Sequence, residues 1–339
     1  MKQAALTLAL VGLGSVMLTG QRASPVAERT SDRPSSSIVR AQVWEKAVRT
    51  HRPGESDEAV RAIEALLMAA VAMPAGRQTT FSARVDTVRV DVLVSDGRQP
   101  ILGLTADDFD VLDSGVRQKV DLVTFEQVPL DVVLALDMSA SVSGERLAEL
   151  RAGARAAIEA LKPKDHVGLL TFNHSVWTRT PLIAEPTSVL SMLNAPVEAG
   201  NTSLVDASFT AMVHSEAGDG RPLVIMFSDG LDTASFLDAG TVLQTAKRSN
   251  AVVYAVTVEG TVRSSFLHDL SELTGGRVLG VSSIKKLGET LVAILDEFRH
   301  RYLISYTPRG VAKAGWHPLD VRVKNRKATI KARPGYVAG

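Results

Sequence analysis

The sequence predicts an α/β fold: a doubly wound, mainly parallel sheet inserted between β-strand segments that together form one small β-sandwich. Three observations carry this expectation. Between Pro129 and about His300, Val- and Leu-rich runs alternate with helix-like stretches, the mark of a parallel sheet with helices on both faces. Ahead of that region, from about Thr79, the hydrophobic period is two. Behind it, from Tyr302, the period returns to two.

Taken in order, the chain opens with Lys2 and the uncharged stretch Ala4 to Leu18, the pattern of a secretory signal over residues 1–22. The stretch is short for a membrane span, so membrane contact is expected only if this segment stays uncleaved as an anchor. Residues 23–78 read as a linker and N-terminal helices. One helix runs from Ser37 to about Thr50. A second is capped by Ser56, carries Val60, Ile63, Leu66, Leu67 and Val71 on one face, and is closed by Pro74. Residues 79–128 are β-rich: Val88, Val90, Val92 and Val94 alternate with polar residues, and Phe109–Leu112 and Val116–Phe125 flank a hairpin turn at Asp113-Ser114-Gly115. Residues 129–300 hold the alternating strands and helices, and 301–339 are β again. About four strands before the insertion and three after it match an immunoglobulin-sized sandwich.

Charge and cysteine content narrow the function. The formal net charge is +1, which gives no overall pull toward nucleic acid. The chain has no cysteine, which excludes disulfides, thiol catalysis, thiolate metal sites and a lipoprotein anchor at Leu18-Thr19-Gly20, where Gln21 stands in place of the lipidated residue. Its seven histidines show no paired metal-ligand spacing. From Arg299 onward ten Lys or Arg face one acid, Asp320. That tail is either a grip for anionic partners or a sandwich edge whose charges discourage strand-to-strand aggregation; the second reading needs no ligand.

The chemistry gathers at strand ends. Asp137-Met138-Ser139-Ala140-Ser141 closes the buried run Asp131–Leu136, at the carboxyl end where open α/β sheets present ligands. Gly200-Asn201-Thr202-Ser203 opens a helical pattern, and Leu223–Ser228 ends in Asp229-Gly230. In this order the three fragments resemble the metal-ion-dependent adhesion site of von Willebrand factor A-type (VWA) domains, with Ala140 and Asn201 standing where glycine is common. The resemblance implies that Asp137, Ser139, Ser141, Thr202 and Asp229 hold a divalent cation. Magnesium is the leading ion, and manganese or calcium also suits oxygen ligands. It further implies a protein ligand that offers an acidic residue to the metal, with no nucleic acid and no catalytic residues. Gly103–Phe109 with Asp113-Ser114-Gly115 and Gln118 also looks like a segment of bacterial, acidobacterial-type VWA-related exported proteins, where it immediately precedes the VWA domain.

The expected function is therefore an exported, secreted or periplasmic, non-enzymatic binding protein. Its first rival is an envelope scaffold in which the metal only pins loops. The second is a phosphatase with an aspartyl nucleophile, but such sites use Asp-x-Asp with the second carboxylate as proton donor, and Ser139 cannot serve. Asp206 and Asp232 are near the metal fragments but need no role beyond a helix and a turn. Loops 143–146, 174–178, 198–203 and 230–237 are the expected specificity surfaces.

Overall fold

The computed structural model describes residues 87–339 apart from 98, 125–127, 184, 197–199, 229–230 and 261–263. The predicted signal, linker and N-terminal helices lie outside the described residues. Among those described, no helix is long and apolar enough to cross a membrane.

Strands β1 (Val88–Asp96), β2 (Gln99–Pro100), β3 (Phe109–Asp113), β4 (Val116–Gln118) and β5 (Val120–Thr124) come first. Between β2 and β3, the Thr105 amide and hydroxyl both donate to Asp108 Oδ2, at 2.7 and 2.9 Å, fixing the expected single turn. The inserted sheet follows. It comprises β6 (Leu130–Asp137), β7 (His166–Phe172), β8 (Val176–Ile183), β9 (Arg221–Phe227), β10 (Val252–Val258) and β11 (Val278–Val281), in the order β11-β10-β9-β6-β7-β8. All neighbours are parallel except β7 and β8, which form a hairpin.

Helices α1 (Glu145–Glu159), α2 (Pro186–Met192), α3 (Leu204–Ser215), α4 (Ala239–Ala246), α5 (Ser265–Thr274) and α6 (Leu287–Arg299) cover this sheet. The cause is strand alternation inside a run that is apolar throughout. Val132, Leu134 and Leu136 pack with Leu150 of α1, Val189 of α2 and Leu291 of α6. Val133 and Ala135 face the other way and pack with Met212 of α3, Val242 of α4 and Leu267 of α5. Burial on both faces is what a continuous Val/Leu run encodes.

The chain ends in β12 (Tyr302–Tyr306), β13 (Gly315–Val323), β14 (Thr329–Lys331) and β15 (Gly335–Ala338). β12 lies between β1 and β5, with Ile304 opposite both Val90 and Val123, and β13 lies between β3 and β15. Strands from the two sides of the insertion thus share both sheets, and Val92, Val111, Tyr302, Ile304 and Tyr306 share one core. The predicted fold class holds.

Two expectations are corrected. Val116–Phe125 is not one strand: β4 pairs with β3 in one sheet and β5 with β12 in the other, so the chain crosses the sandwich at Lys119. The basic tail is not merely a charged edge either, because Arg299, Arg301 and Arg333 are buried. Arg333 donates to the Ser249 and Lys247 carbonyls beyond α4, at 2.8 and 2.9 Å, and Arg301 to the Gly275 carbonyl that caps α5, at 2.8 Å. The last carbonyls of a helix lack intrahelical partners and carry its negative dipole end, so a guanidinium suits them. Arg301 also lies 5.3 Å from the Tyr254 ring centroid. Burial pushes the Arg333 pKa down to about 10. At the same seam Arg221 of β9 donates to Asp91 of β1 through Nε at 2.9 Å. Arginines therefore join the inserted sheet to the sandwich at the end opposite the Asp137 crest.

Candidate metal centre

β6 is the third of six strands counted from the β8 edge and is buried along its whole length, so Asp137 at its carboxyl end is rigidly placed. Met138 extends the ladder by donating to the Phe172 carbonyl at 2.7 Å. The chain then folds back on itself. The Ser139 amide donates to Asp137 Oδ1 at 2.9 Å, an aspartate turn, and the Val142 amide donates to the Ser139 carbonyl at 2.9 Å. This brings the Ser139 and Ser141 hydroxyls to 3.1 Å from each other. Gly144, at φ +57°, turns the backbone into α1, a conformation that favours glycine.

The second fragment is tied to the first through backbone. The Ala140 amide donates to the Gly200 carbonyl at 3.1 Å. Thr202 is held on both sides: its amide donates to Thr233 Oγ1 at 2.9 Å, and its carbonyl accepts from the Thr233 and Ala234 amides. The Ser203 amide reaches the Asn173 carbonyl in the β7–β8 hairpin at 2.7 Å. The third fragment meets the first at Ser228, whose hydroxyl donates to Asp137 Oδ2 at 2.6 Å. Asp229, the next residue, lies outside the described residues.

The structure thus gathers Asp137, Ser139 and Ser141 in one loop and fastens the Thr202 turn to that loop. The two departures from glycine are explained, because neither Ala140 nor Asn201 has a positive φ and a Cβ costs no backbone strain there. Asp206 and Asp232 do local work: Asp206 accepts from the Phe236 and Leu237 amides at 3.0 and 2.9 Å, and Asp232 from the Val205 amide at the start of α3 at 3.1 Å. They pin the 231–237 loop, and Leu231 and Phe236 are left exposed on it. Sequence reasoning missed Ser228, Thr233 and Asn173. Ser228 was within reach, since a hydroxyl beside Asp229 at a strand end has few other uses; the other two act only through folding.

The described donors are a carboxylate and hydroxyls, with Asp137 fully buried and Ser139 and Thr202 nearly so. Among the described residues no three His, Cys, Asp or Glu side chains gather to hold a metal. A hydroxyl-rich oxygen set with one or two carboxylates fits a hard cation such as magnesium, and serine and threonine hydroxyls can turn their lone pairs toward it.

A family model matches the inserted region: residues 131–292 match that of the von Willebrand factor type A domain. Among solved structures, a von Willebrand factor type A protein from Catenulispora acidiphila is 9% identical, with 70% of this chain and 75% of that one covered, at TM-score 0.47. BatB from Bacteroides thetaiotaomicron is 17% identical over 49% of this chain and 97% of its own, at TM-score 0.41. Proximal thread matrix protein 1 of the mussel byssus, with a zinc-occupied MIDAS motif, is 16% identical, with 50% and 48% covered and TM-score 0.43. This chain spans about half the length of the mussel protein.

Proposed function

We propose that this is an exported protein, secreted or periplasmic, that binds a protein ligand through a divalent cation held by Asp137, Ser139, Ser141, Thr202 and Asp229, and that it is not an enzyme. The observation that supports this most is the convergence of fragments far apart in sequence. The Asp137 loop bonds to the Gly200 turn at one point and to Ser228 at another, at 3.1 and 2.6 Å.

In this reading Asp137 supplies negative charge, and Ser228 fixes the direction of its carboxylate. Ser139, Ser141 and Thr202 contribute neutral oxygens. When bound, the cation supplies a positive centre with an exchangeable position suited to a partner's carboxylate. The exposed side chains of Leu231 and Phe236, on the 231–237 loop, and of Trp177, at the start of β8, are the proposed contact surface. Calorimetric titration with magnesium chloride tests the site: wild type should bind and Thr202→Ala should bind at least about tenfold more weakly, as loss of one ligand implies. A wild type with no affinity for magnesium, manganese or calcium refutes the proposal. Partner capture that ignores both chelator and Asp137→Ala points instead to a scaffold.

A further inference from the structure

We infer that the 231–237 loop is a detachable strap that regulates the proposed metal site, by exchanging an outside cap on α3 for the helix's own. This rests on the reading of Asp137, Ser139, Ser141, Thr202 and Asp229 as that site. The starting observation is an idle hydroxyl. Ser203 is the N-cap residue of α3 and only 1% exposed, yet its hydroxyl has no hydrogen-bond partner among the described residues. An N-cap serine ordinarily accepts from the second or third amide of its helix, here Val205 or Asp206. Those amides are already taken from outside. Ser235 Oγ accepts from both, at 3.0 and 3.1 Å, and Asp232 Oδ1 also accepts from Val205 at 3.1 Å.

The helix carries a cap of its own that the strap displaces. Ser203-Leu204-Val205-Asp206 has the spacing of a capping box, with serine at the N-cap and an acid at the third helical position. Neither member plays that part here. Ser203 sits at φ −93°, ψ 65°, away from the extended backbone an N-cap adopts. Asp206 accepts instead from the Phe236 and Leu237 amides, at 3.0 and 2.9 Å. Releasing the strap therefore does not leave α3 uncapped, because a turn about ψ of Ser203 brings its own hydroxyl to the vacated amides. That bond lies between Thr202 and the helix, so the exchange of caps reorients the Thr202 turn relative to α3. Release also parts the Thr202 amide and carbonyl from Thr233 and Ala234, which hold them at 2.8 to 3.1 Å. Polar ties hold the strap more than burial does, since Leu237 alone among residues 231–237 is buried. Leu231 and Phe236 are the exposed handle through which a partner favours the attached state, and linkage then makes partner and magnesium strengthen each other.

Two variants of the full chain and their combination test this. Hydrogen exchange over residues 231–237 is read in chelator, and magnesium affinity by calorimetry. Ser203→Ala removes a hydroxyl used only in the detached state, so exchange should slow by about fivefold, the equilibrium scale of one N-cap, and magnesium should bind no more weakly than to wild type. Ser235→Ala removes the outside cap, so exchange should speed up by at least about fivefold and magnesium affinity should fall by a similar factor. Adding Ser203→Ala to Ser235→Ala should then restore both toward wild type, with exchange in β6 unchanged throughout as the control for folding. Unchanged or faster exchange in Ser203→Ala, or a double variant no better than Ser235→Ala, means that the two caps do not compete and overturns the inference. The exchange arm needs no metal. A wild type that fails to bind magnesium therefore sinks the metal reading, whereas a wild type that binds it, with unaltered exchange in the variants, sinks the strap alone.

Discussion

Two aspartates, Asp113 in the sandwich and Asp137 at the crest of the inserted sheet, are each 0% exposed, and their surroundings treat them in opposite ways. Asp113 is saturated by the fold. Its Oδ1 accepts from the Ser114 hydroxyl at 3.0 Å and pairs with His317 Nδ1 at 2.8 Å, while Oδ2 accepts from the Tyr306 and Tyr336 hydroxyls at 3.0 and 2.8 Å. Those partners come from β12, β13 and β15, so one carboxylate ties both sheets and both sides of the insertion together. Asp137 instead accepts from the Ser139 amide at 2.9 Å and from one side chain, the Ser228 hydroxyl, at 2.6 Å. The same buried charge is a structural pin in one place and the proposed ligand in the other, and what differs is how many side chains hold it.

The comparison breaks most easily at Asp113. Asp113→Ala leaves two tyrosines and a histidine buried without their acceptor, and should cost about 3–5 kcal/mol in urea unfolding. A variant with the wild-type midpoint would mean the pin carries nothing. The crest should behave differently. Without metal, Asp137→Ala should change stability little. With magnesium at a hundred times its dissociation constant, wild type should gain about 2.7 kcal/mol by mass action and the variant nothing. Thermal melts with magnesium and with chelator read both numbers, and a metal-induced rise that survives in Asp137→Ala would collapse the distinction.

The crest was readable in the sequence and the pin was not, for a physical reason. Asp137 announces itself because a buried Val/Leu strand ending in alternating oxygen side chains is unusual within a single short window. Asp113 sits in Asp113-Ser114-Gly115, where the turn alone accounts for an aspartate. Its other partners lie 193 to 223 residues away, and no local pattern points to them. Arg301 and Arg333 were hidden in the same way: counting tail charge cannot separate a solvated arginine from one aimed at a helix carbonyl. The break at Lys119 was missed because β4 and β5 are both short and polar on one side, so their joint alternation reads as a single strand. The assignment of Thr202 rests on the family pattern; the bonds that hold its turn come from Asn173 and Thr233, far off in sequence.

A gentler probe of the pin uses alkali. Burial, then neighbouring Tyr336 and Asp113, raise the Tyr306 pKa well above its ordinary value near 10; burial and the bond to Asp113 raise that of Tyr336. A raised folded pKa means that the stabilisation is complete below pH 10 and is lost as pH climbs beyond it, since only the unfolded chain then releases the proton. Tyr306→Phe should cost about 1–2 kcal/mol at neutral pH and reduce the alkaline slope. Tyr254, buried in the inserted sheet and donating to Glu297 at 2.6 Å, also has a raised pKa and keeps part of that slope in the variant. A Tyr306→Phe slope identical to wild type above pH 10 would place the sensitivity outside the sandwich.

The smallest expected effect is at the hinge between the crest fragments. A Cβ on Gly200 would come 2.4 Å from Nδ1 of His174, an exposed side chain in the β7–β8 hairpin. Because the obstruction is the end of a side chain and not backbone, Gly200→Ala should displace the imidazole at a cost of about 0.5–1 kcal/mol, the scale of an off-rotamer adjustment. The Gly200 carbonyl holds the Ala140 amide, so any shift of the turn reaches the Ser139–Ser141 loop, and magnesium affinity should fall by a factor of about two to five. His174→Ala removes the obstruction, so the double variant should bind as the His174→Ala single variant does. If Gly200→Ala weakens magnesium equally with and without His174, the turn is strained by something other than that contact, and the crest is less tolerant of small movements than its rotatable hydroxyls imply.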